Sequence, residues 1–158
     1  MEAKAIPLSL LRKSSARLAA VQCIYQIKIN DASLSPEELC SEYIKQWQDD
    51  KVSPNRAMSF DKEPDKKLFL KILAGTIENK EEIENIIKAS LNDKWAFERI
   101  SKLLTSIIAC AIFEMKFSEN NLKPAIIINE YVTITGRFFE ENDVGFVNGL
   151  LDSLSKAS

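Results

Sequence analysis

From residue 100 onward, apolar side chains return every three or four positions: Ile100, Leu103, Leu104, Ile107, Ile108, Ala111, Ile112 and Met115. At 3.6 residues per turn, this spacing draws one stripe along an α-helix, where a half-buried strand would alternate. A stripe that persists for about four turns has to be covered. The rest of the chain must therefore supply matching apolar faces. Each fully buried Leu or Ile contributes roughly 1.5–3 kcal/mol. Aspartate in place of Ile108 would be among the most damaging changes, because it puts an unpaired carboxylate in the core.

Matching faces are present. Ala16, Ala19, Ala20, Cys23, Ile24 and Ile27 predict a first helix from about Ser14 to Ile29, with Ser14 or Ser15 as its cap. Ser35, Pro36 and Glu38 have the order of a helix start: a capping serine, a first-turn proline and a glutamate three residues after the cap. Leu39, Tyr43 and Trp47 line the helix that follows. Leu68, Ile72, Leu73, Thr76, Ile83, Ile86 and Ile87 fit either one helix over 65–90 or two with a break near Asn79. Gly75 costs about 1 kcal/mol inside such a helix. Residues 91–99 read as a turn or short helix anchored by Trp95 or Phe97. Residues 125–135 set strand-favouring Ile and Val against helical spacing at Ile127, Tyr131, Ile134 and Phe138. Pro124 as a helix opener decides for helix. A last helix, from Asn142–Asp143 to about Leu154, buries Val147, Leu150, Leu151 and Leu154. Gly136, just before it, is a cost unless close packing requires it. The fold class is all-α. The polar segment 48–64, with Met58 and Phe60 as its apolar exceptions, reads as an exposed loop.

The polar residues suggest binding more than catalysis. The 158 residues include no histidine, no GxGxxG and no paired cysteines at zinc spacing. Neither a metal nor a cofactor is expected, and no enzymatic activity. Glu37–Glu38, Glu81–Glu82 and Glu140–Glu141 are adjacent pairs whose members diverge on a helix surface. Cys23, Cys40 and Cys110 are odd in number and far apart, which fits a reducing cytoplasm, with Cys23 and Cys110 as core residues. The first residues lack the pattern of a signal peptide, and no apolar run approaches a membrane span.

The formal net charge is −2, but it is unevenly spread. Residues 1–30 carry a net +4 and residues 31–50 a net −5. Arg12 and Lys13 stand just before the expected first helix and Arg17 in its first turn, where cations oppose the helix dipole. That small cost has no local benefit and points to a phosphate partner. Tyr25, eight residues past Arg17, lies close to the same face. An aromatic there can stack on an unpaired base or pack at a protein interface.

Several motifs occur in an order and spacing that resemble the NusB family of transcription antitermination factors. They are Ala16-Arg17 with Val21-Gln22-Cys23-Ile24-Tyr25, then Phe69-Leu70-Lys71-Ile72-Leu73-Ala74-Gly75, then Ala111-Ile112-Phe113-Glu114, Ile128-Asn129-Glu130, and Phe146-Val147-Asn148-Gly149-Leu150-Leu151-Asp152. The resemblance implies a single NusB-like domain over 1–158, made of two small three-helix bundles packed together (12–90 and 91–155). It implies a non-catalytic adaptor that binds boxA-type RNA with the NusE-like ribosomal small-subunit protein, in an RNA polymerase antitermination complex on ribosomal RNA operons. The RNA side would use Arg12, Lys13, Arg17, Tyr25 and Phe146, and the protein partner would meet Glu98. Asn129, Glu130, Asn148 and Gly149 would position the last two helices.

The chain also departs from the family. The arginine-rich segment is represented by Lys13, Ser14, Ser15 and Arg17, Asn142 is neutral where the family is acidic, and Leu104 and Ala109 replace an acid and an arginine. A helical adaptor that binds protein alone stays open as the alternative, and a homodimer is compatible with either. The RNA methyltransferase domain that accompanies this domain in some enzymes has no room here.

Overall fold

The computed structural model describes residues 5–30, 33–50, 62–93 and 96–157. Among them every regular element is a helix: α1 (Leu8–Asn30), α2 (Pro36–Asp50), α3 (Lys66–Glu78), α4 (Lys80–Ser90), α5 (Ala96–Arg99), α6 (Lys102–Ile112), a π turn (Phe113–Phe117), α7 (Pro124–Phe138) and α8 (Glu141–Lys156). The fold is an all-α bundle. Its core is one continuous cluster that takes residues from every long helix. α1 lies against both α3 and α6, α2 packs on α3, α4 on α6, and α7 runs along α8 while touching α6.

The helix starts follow from local chemistry. Ser35 and Glu38 form the expected capping box: the Glu38 N–H donates to Ser35 Oγ (3.1 Å) and the Ser35 N–H to Glu38 Oε1 (3.4 Å). Asp65 caps α3 by accepting from the Leu68 N–H at 3.0 Å, and Ser101 caps α6 by accepting from Leu104 at 3.1 Å. α1 differs from expectation. It begins at Leu8, where the Pro7 carbonyl accepts the N–H groups of Leu10 (3.0 Å) and Leu11 (3.2 Å). Ser14 and Ser15 are therefore interior residues and not caps. Arg17 is past the first turn, out of reach of the dipole cost inferred from the sequence.

The region 65–90 takes the broken form. Asn79 separates α3 from α4, its side-chain amide donating to the Gly75 carbonyl at 2.8 Å. Gly75 itself is required by a close approach: a Cβ there would stand 2.0 Å from Phe113 Cε1. The α3 backbone thus rests directly on the π turn. Gly136 has no such reason, because a Cβ would meet only Val144 at an ordinary 3.9 Å. The Ile126–Ile128 run is helical; Ile127, Ile128, Tyr131 and Ile134 face inward and Ile126 outward. Ile108 is 0% exposed, and α8 buries the four residues expected of it. Tyr43 of α2 meets Phe69 of α3 edge-on, with ring centroids 5.3 Å apart. Of the 48–64 loop, 48–50 complete α2, while 51–61, including Met58 and Phe60, lie outside the described residues, as does Trp95.

All three cysteines are buried and free. Burial pushes the Cys23 and Cys110 thiols up to about 12 and Cys40 to about 11. They are inert core groups.

Candidate nucleic-acid interface

The first half of α1 meets α7 through a cluster of ionic hydrogen bonds. Arg17 is only 3% exposed. Its Nε donates to Glu114 Oε1 at 2.7 Å and its Nη2 to Glu114 Oε2 at 3.1 Å, a two-pronged pair. Its Nη1 donates to Glu130 Oε1 at 3.2 Å. Ser14 Oγ lies 3.0 Å from both Glu130 oxygens, and Tyr131 Oη donates to Glu114 Oε1 at 2.6 Å. Burial alone would draw the Arg17 pKa down. Glu114 outweighs it, with smaller help from Tyr131 and Glu130, and the guanidinium is held above its ordinary range. Burial, then the Glu114 charge, drives the Tyr131 phenol well above its usual value. The π turn carries Glu114 and is fixed from outside by Asn120, whose amide donates to the Glu114 carbonyl at 3.0 Å.

This geometry redistributes the residues expected at the RNA surface. Arg17 is inward and already neutralised, so it is not placed to meet a phosphate. Lys13, on the turn before it, is exposed. Arg12 is half-buried; its Nε donates to the Glu63 carbonyl at 3.1 Å, and its own carbonyl accepts from the Asp65 N–H at 3.0 Å. It ties α1 to the segment entering α3. Glu130 bonds to Ser14 and Arg17, so the contacts it makes fasten α7 to α1 where the expectation set it between the last two helices. Asn129, Asn148 and Gly149 are exposed, and neither asparagine side chain bonds to another described residue. A Cβ at Gly149 would meet nothing within 4 Å, so packing does not explain the glycine. Phe146 is 37% exposed, beside the fully buried Val147.

The Ser14–Glu130 contact brings the Lys13 turn of α1 to the middle of α7, beside Asn129, and α8 with Phe146 and Asn148 runs along α7. Tyr25 and Glu98 belong elsewhere. Tyr25 is half-buried about 18 Å further along α1 from Lys13, at 1.5 Å per residue. Glu98 is exposed on α5, next to Phe97, whose ring lies 5.0 Å from Lys88 Nζ. It borders a cavity reached by Ile24, Ile27 and Lys28 of α1. The two ends of α1 thus serve two different surfaces.

Glu114 and Tyr131 were missed as structural partners in the sequence. The signal was there: Arg17, Ala20 and Ile24 share one buried stripe, and Ile107, Ala111 and Glu114 share another. Opposite charges on two buried stripes imply a pair. Among the described residues, no group of three or more His, Cys, Asp or Glu is arranged to hold a metal. No described helix is long and apolar enough to cross a membrane.

Residues 14–156 match the NusB family model. The chain belongs to the NusB family. Its relatives include the transcription antitermination protein NusB of Mesorhizobium japonicum, 30% identical over 145 residues, covering 92% of this chain and 89% of the relative. That of Bartonella tribocorum is 27% identical over 156 residues, covering 99% and 96%. Two solved structures share the fold. NusB of T. maritima superposes with a TM-score of 0.71 at 24% identity, covering 97% of this chain and 93% of that one. A crystal structure of antitermination factors NusB and NusE in complex with dsRNA gives 0.73 at 20% identity, covering 93% and 98%. Family membership carries a role in transcription antitermination as a non-catalytic adaptor.

Proposed function

We propose that this chain is an RNA- and protein-binding adaptor that takes up boxA-type RNA together with a NusE-like ribosomal small-subunit protein. The assembly acts with RNA polymerase on ribosomal RNA operons, in the cytoplasm. The observation that carries the RNA side is Phe146. It is a large aromatic left 37% exposed on a helix whose next residue is fully buried. A flat apolar ring in the open offers a stacking surface to an unpaired base. Lys13 supplies a phosphate contact, and Arg12 a second through the part of its guanidinium not held by Glu63. Asn129, the neighbour of Glu130 on α7, adds an amide not bonded to another described residue. Arg17 takes a positioning role: it fixes the α1–α7 junction on which Lys13 is displayed. Tyr25, further along α1, extends the aromatic part of the RNA surface, and Glu98 belongs to the partner side.

RNA affinity measured with and without the NusE-like protein tests this reading across a salt series. Phe146→Ala should weaken the joint complex at all salt concentrations without changing the slope, because stacking carries no charge. Equal affinity for boxA-type and charge-matched random RNA would end it. A protein-only adaptor is the second reading, and the burial of Arg17 favours it, because it removes one cation from an already sparse front. Under that reading the partner protein binds at full strength and RNA adds nothing.

A further inference from the structure

The far end of α1 faces a partly open cavity of about 360 Å³, lined by α1, α3, α4, α5 and α6. This is within the size range of small-molecule sites, roughly 300–1,000 Å³. Its walls are mostly apolar, with Ile24, Ile83, Ile87 and Phe97 among them. Into these walls α1 places Lys28. Its Nζ donates to Thr105 Oγ1 at 2.9 Å, and Thr105 gives its own proton to the Lys102 carbonyl at 3.1 Å. One of three ammonium N–H groups is thereby used. No described carboxylate forms an ion pair with Lys28, although Glu84 lines the same cavity. Thr76 also lines the cavity, but its hydroxyl is buried away from that space against the Cys110 thiol, which leaves Lys28 as the polar group with donors to spare.

The spare N–H groups of Lys28, on an apolar-walled cavity, define a ligand by what they lack. We propose that this cavity binds a small monocarboxylate with an apolar body, an alkyl or aryl acid, its carboxylate on Lys28 Nζ and its hydrocarbon against the isoleucines and Phe97. A carboxylate supplies the acceptor that Thr105 provides only in part, in a charge-assisted bond. Burial draws the ammonium down to about 8, so it is still charged at pH 7 but poorly solvated, and a bound anion offsets that cost. Lys80 and Lys102 join Lys28 on the lining against Glu84 and the exposed Glu98, so the wall carries three cations and two anions, a balance that one carboxylate answers and a dianion exceeds. The proposal is independent of the RNA reading, since the cavity lies toward the opposite end of α1 from Lys13.

Calorimetric titration of the full chain with octanoate, 1-octanol and acetate tests it. Octanoate should bind, and acetate, lacking the apolar body, should not. Lys28→Met should weaken octanoate at least tenfold while leaving octanol unchanged. Equal octanoate affinity in both proteins, or none in the wild type, overturns the proposal. A measurement on the wild type alone guards against a variant that fails to fold. In lysine-labelled protein, octanoate should shift the Lys28 Cε resonance and leave that of Lys13 in place. Movement of both signals, or of neither, overturns it equally.

Discussion

Two cations sit eleven residues apart on α1, Arg17 buried and Lys28 half-buried, and they are treated in opposite ways. Arg17 meets two carboxylates and a supporting tyrosine, and its charge is held more firmly than in water. Lys28 meets one hydroxyl, and its charge is held less firmly, at about 8. Guanidinium suits the first site, because its planar fork satisfies two acceptors at once. Ammonium suits the second, because it gives up its proton when buried. The contrast separates a cation that completes the fold from one that strains it. A strained group of this kind is the one expected to work.

The largest effect should come from breaking the completed site. Arg17→Ala leaves Glu114 buried and unpaired, and its loss should cost about 3–5 kcal/mol. Glu114→Ala should cost a similar amount by stranding Arg17. Denaturant unfolding measures both. The double change should cost clearly less than the two combined, since neither charge is then orphaned. Full additivity would mean that the two side chains do not act as a pair.

Next is the support beneath that pair. Gly75→Ala brings a Cβ onto Phe113, the first residue of the π turn that carries Glu114. Elsewhere in a helix this substitution gains about 1 kcal/mol. Here overpacking should reverse the sign and cost about 1–3 kcal/mol. A thermal melt decides it. A rise in Tm would show that α3 and the π turn adjust freely, and that Glu114 is not held in place by them.

Much of this molecule is legible in its sequence, but neither of these two sites. The α6 stripe, the α8 face and the Ser35 capping box are local patterns, and local patterns are what a chain displays directly. The start of α1 was not local in this sense. Leu8 and Leu10 lie exposed, so no buried stripe marks that end of the helix. The Arg17–Glu114 pair joins residues 97 apart, and only the crossing of α1 with α6 and the π turn brings them together. Read locally, Arg17 was a cation with no evident benefit, and a surface ligand was the economical explanation. The structure supplies an internal one. Lys28 was counted only as part of a basic front, since its cavity is built from five helices that no single stripe predicts.

The strained site should give a smaller effect of the opposite sign. Lys28→Met removes a charge from an apolar wall and should stabilise the protein at pH 7 by about 1–2 kcal/mol, after allowance for water reaching the half-buried group. The pH dependence follows from the shift. Between pH 8 and 10.5 the folded state has released the Lys28 proton and the unfolded state has kept it, so this group adds stability as pH rises. Wild type should therefore approach the variant across that window, by at most about 1.4 kcal/mol per pH unit. Above pH 9 the thiols act the other way, because unfolded cysteines ionise while buried Cys23 and Cys110 wait until about 12. Cys23 is common to both proteins, but Cys110 feels the Lys28 charge, so the difference between them isolates Lys28 below pH 9. A gap that stays constant from pH 7 to 9 would show that the ammonium is as well solvated as any on the surface.

Lys13 completes the series as the exposed cation of the same helix, and its removal should be nearly silent in stability. Lys13→Ala should change unfolding by less than about 0.5 kcal/mol, since it deletes no contact among the described residues. Its effect belongs to RNA. One phosphate contact on a single strand contributes about 0.7 to the slope of log affinity against log salt. Lys13→Ala should flatten that slope by about this much in the joint complex with the NusE-like protein, and Arg12→Gln by a similar amount. Lys28→Met should leave the slope unchanged. This ordering separates the three cations by measurement: Arg17 by stability alone, Lys28 by stability against pH, and Lys13 by salt alone. A slope unmoved by Lys13→Ala and Arg12→Gln together would remove the cationic contact from the α1 front and leave the protein-only adaptor as the better account.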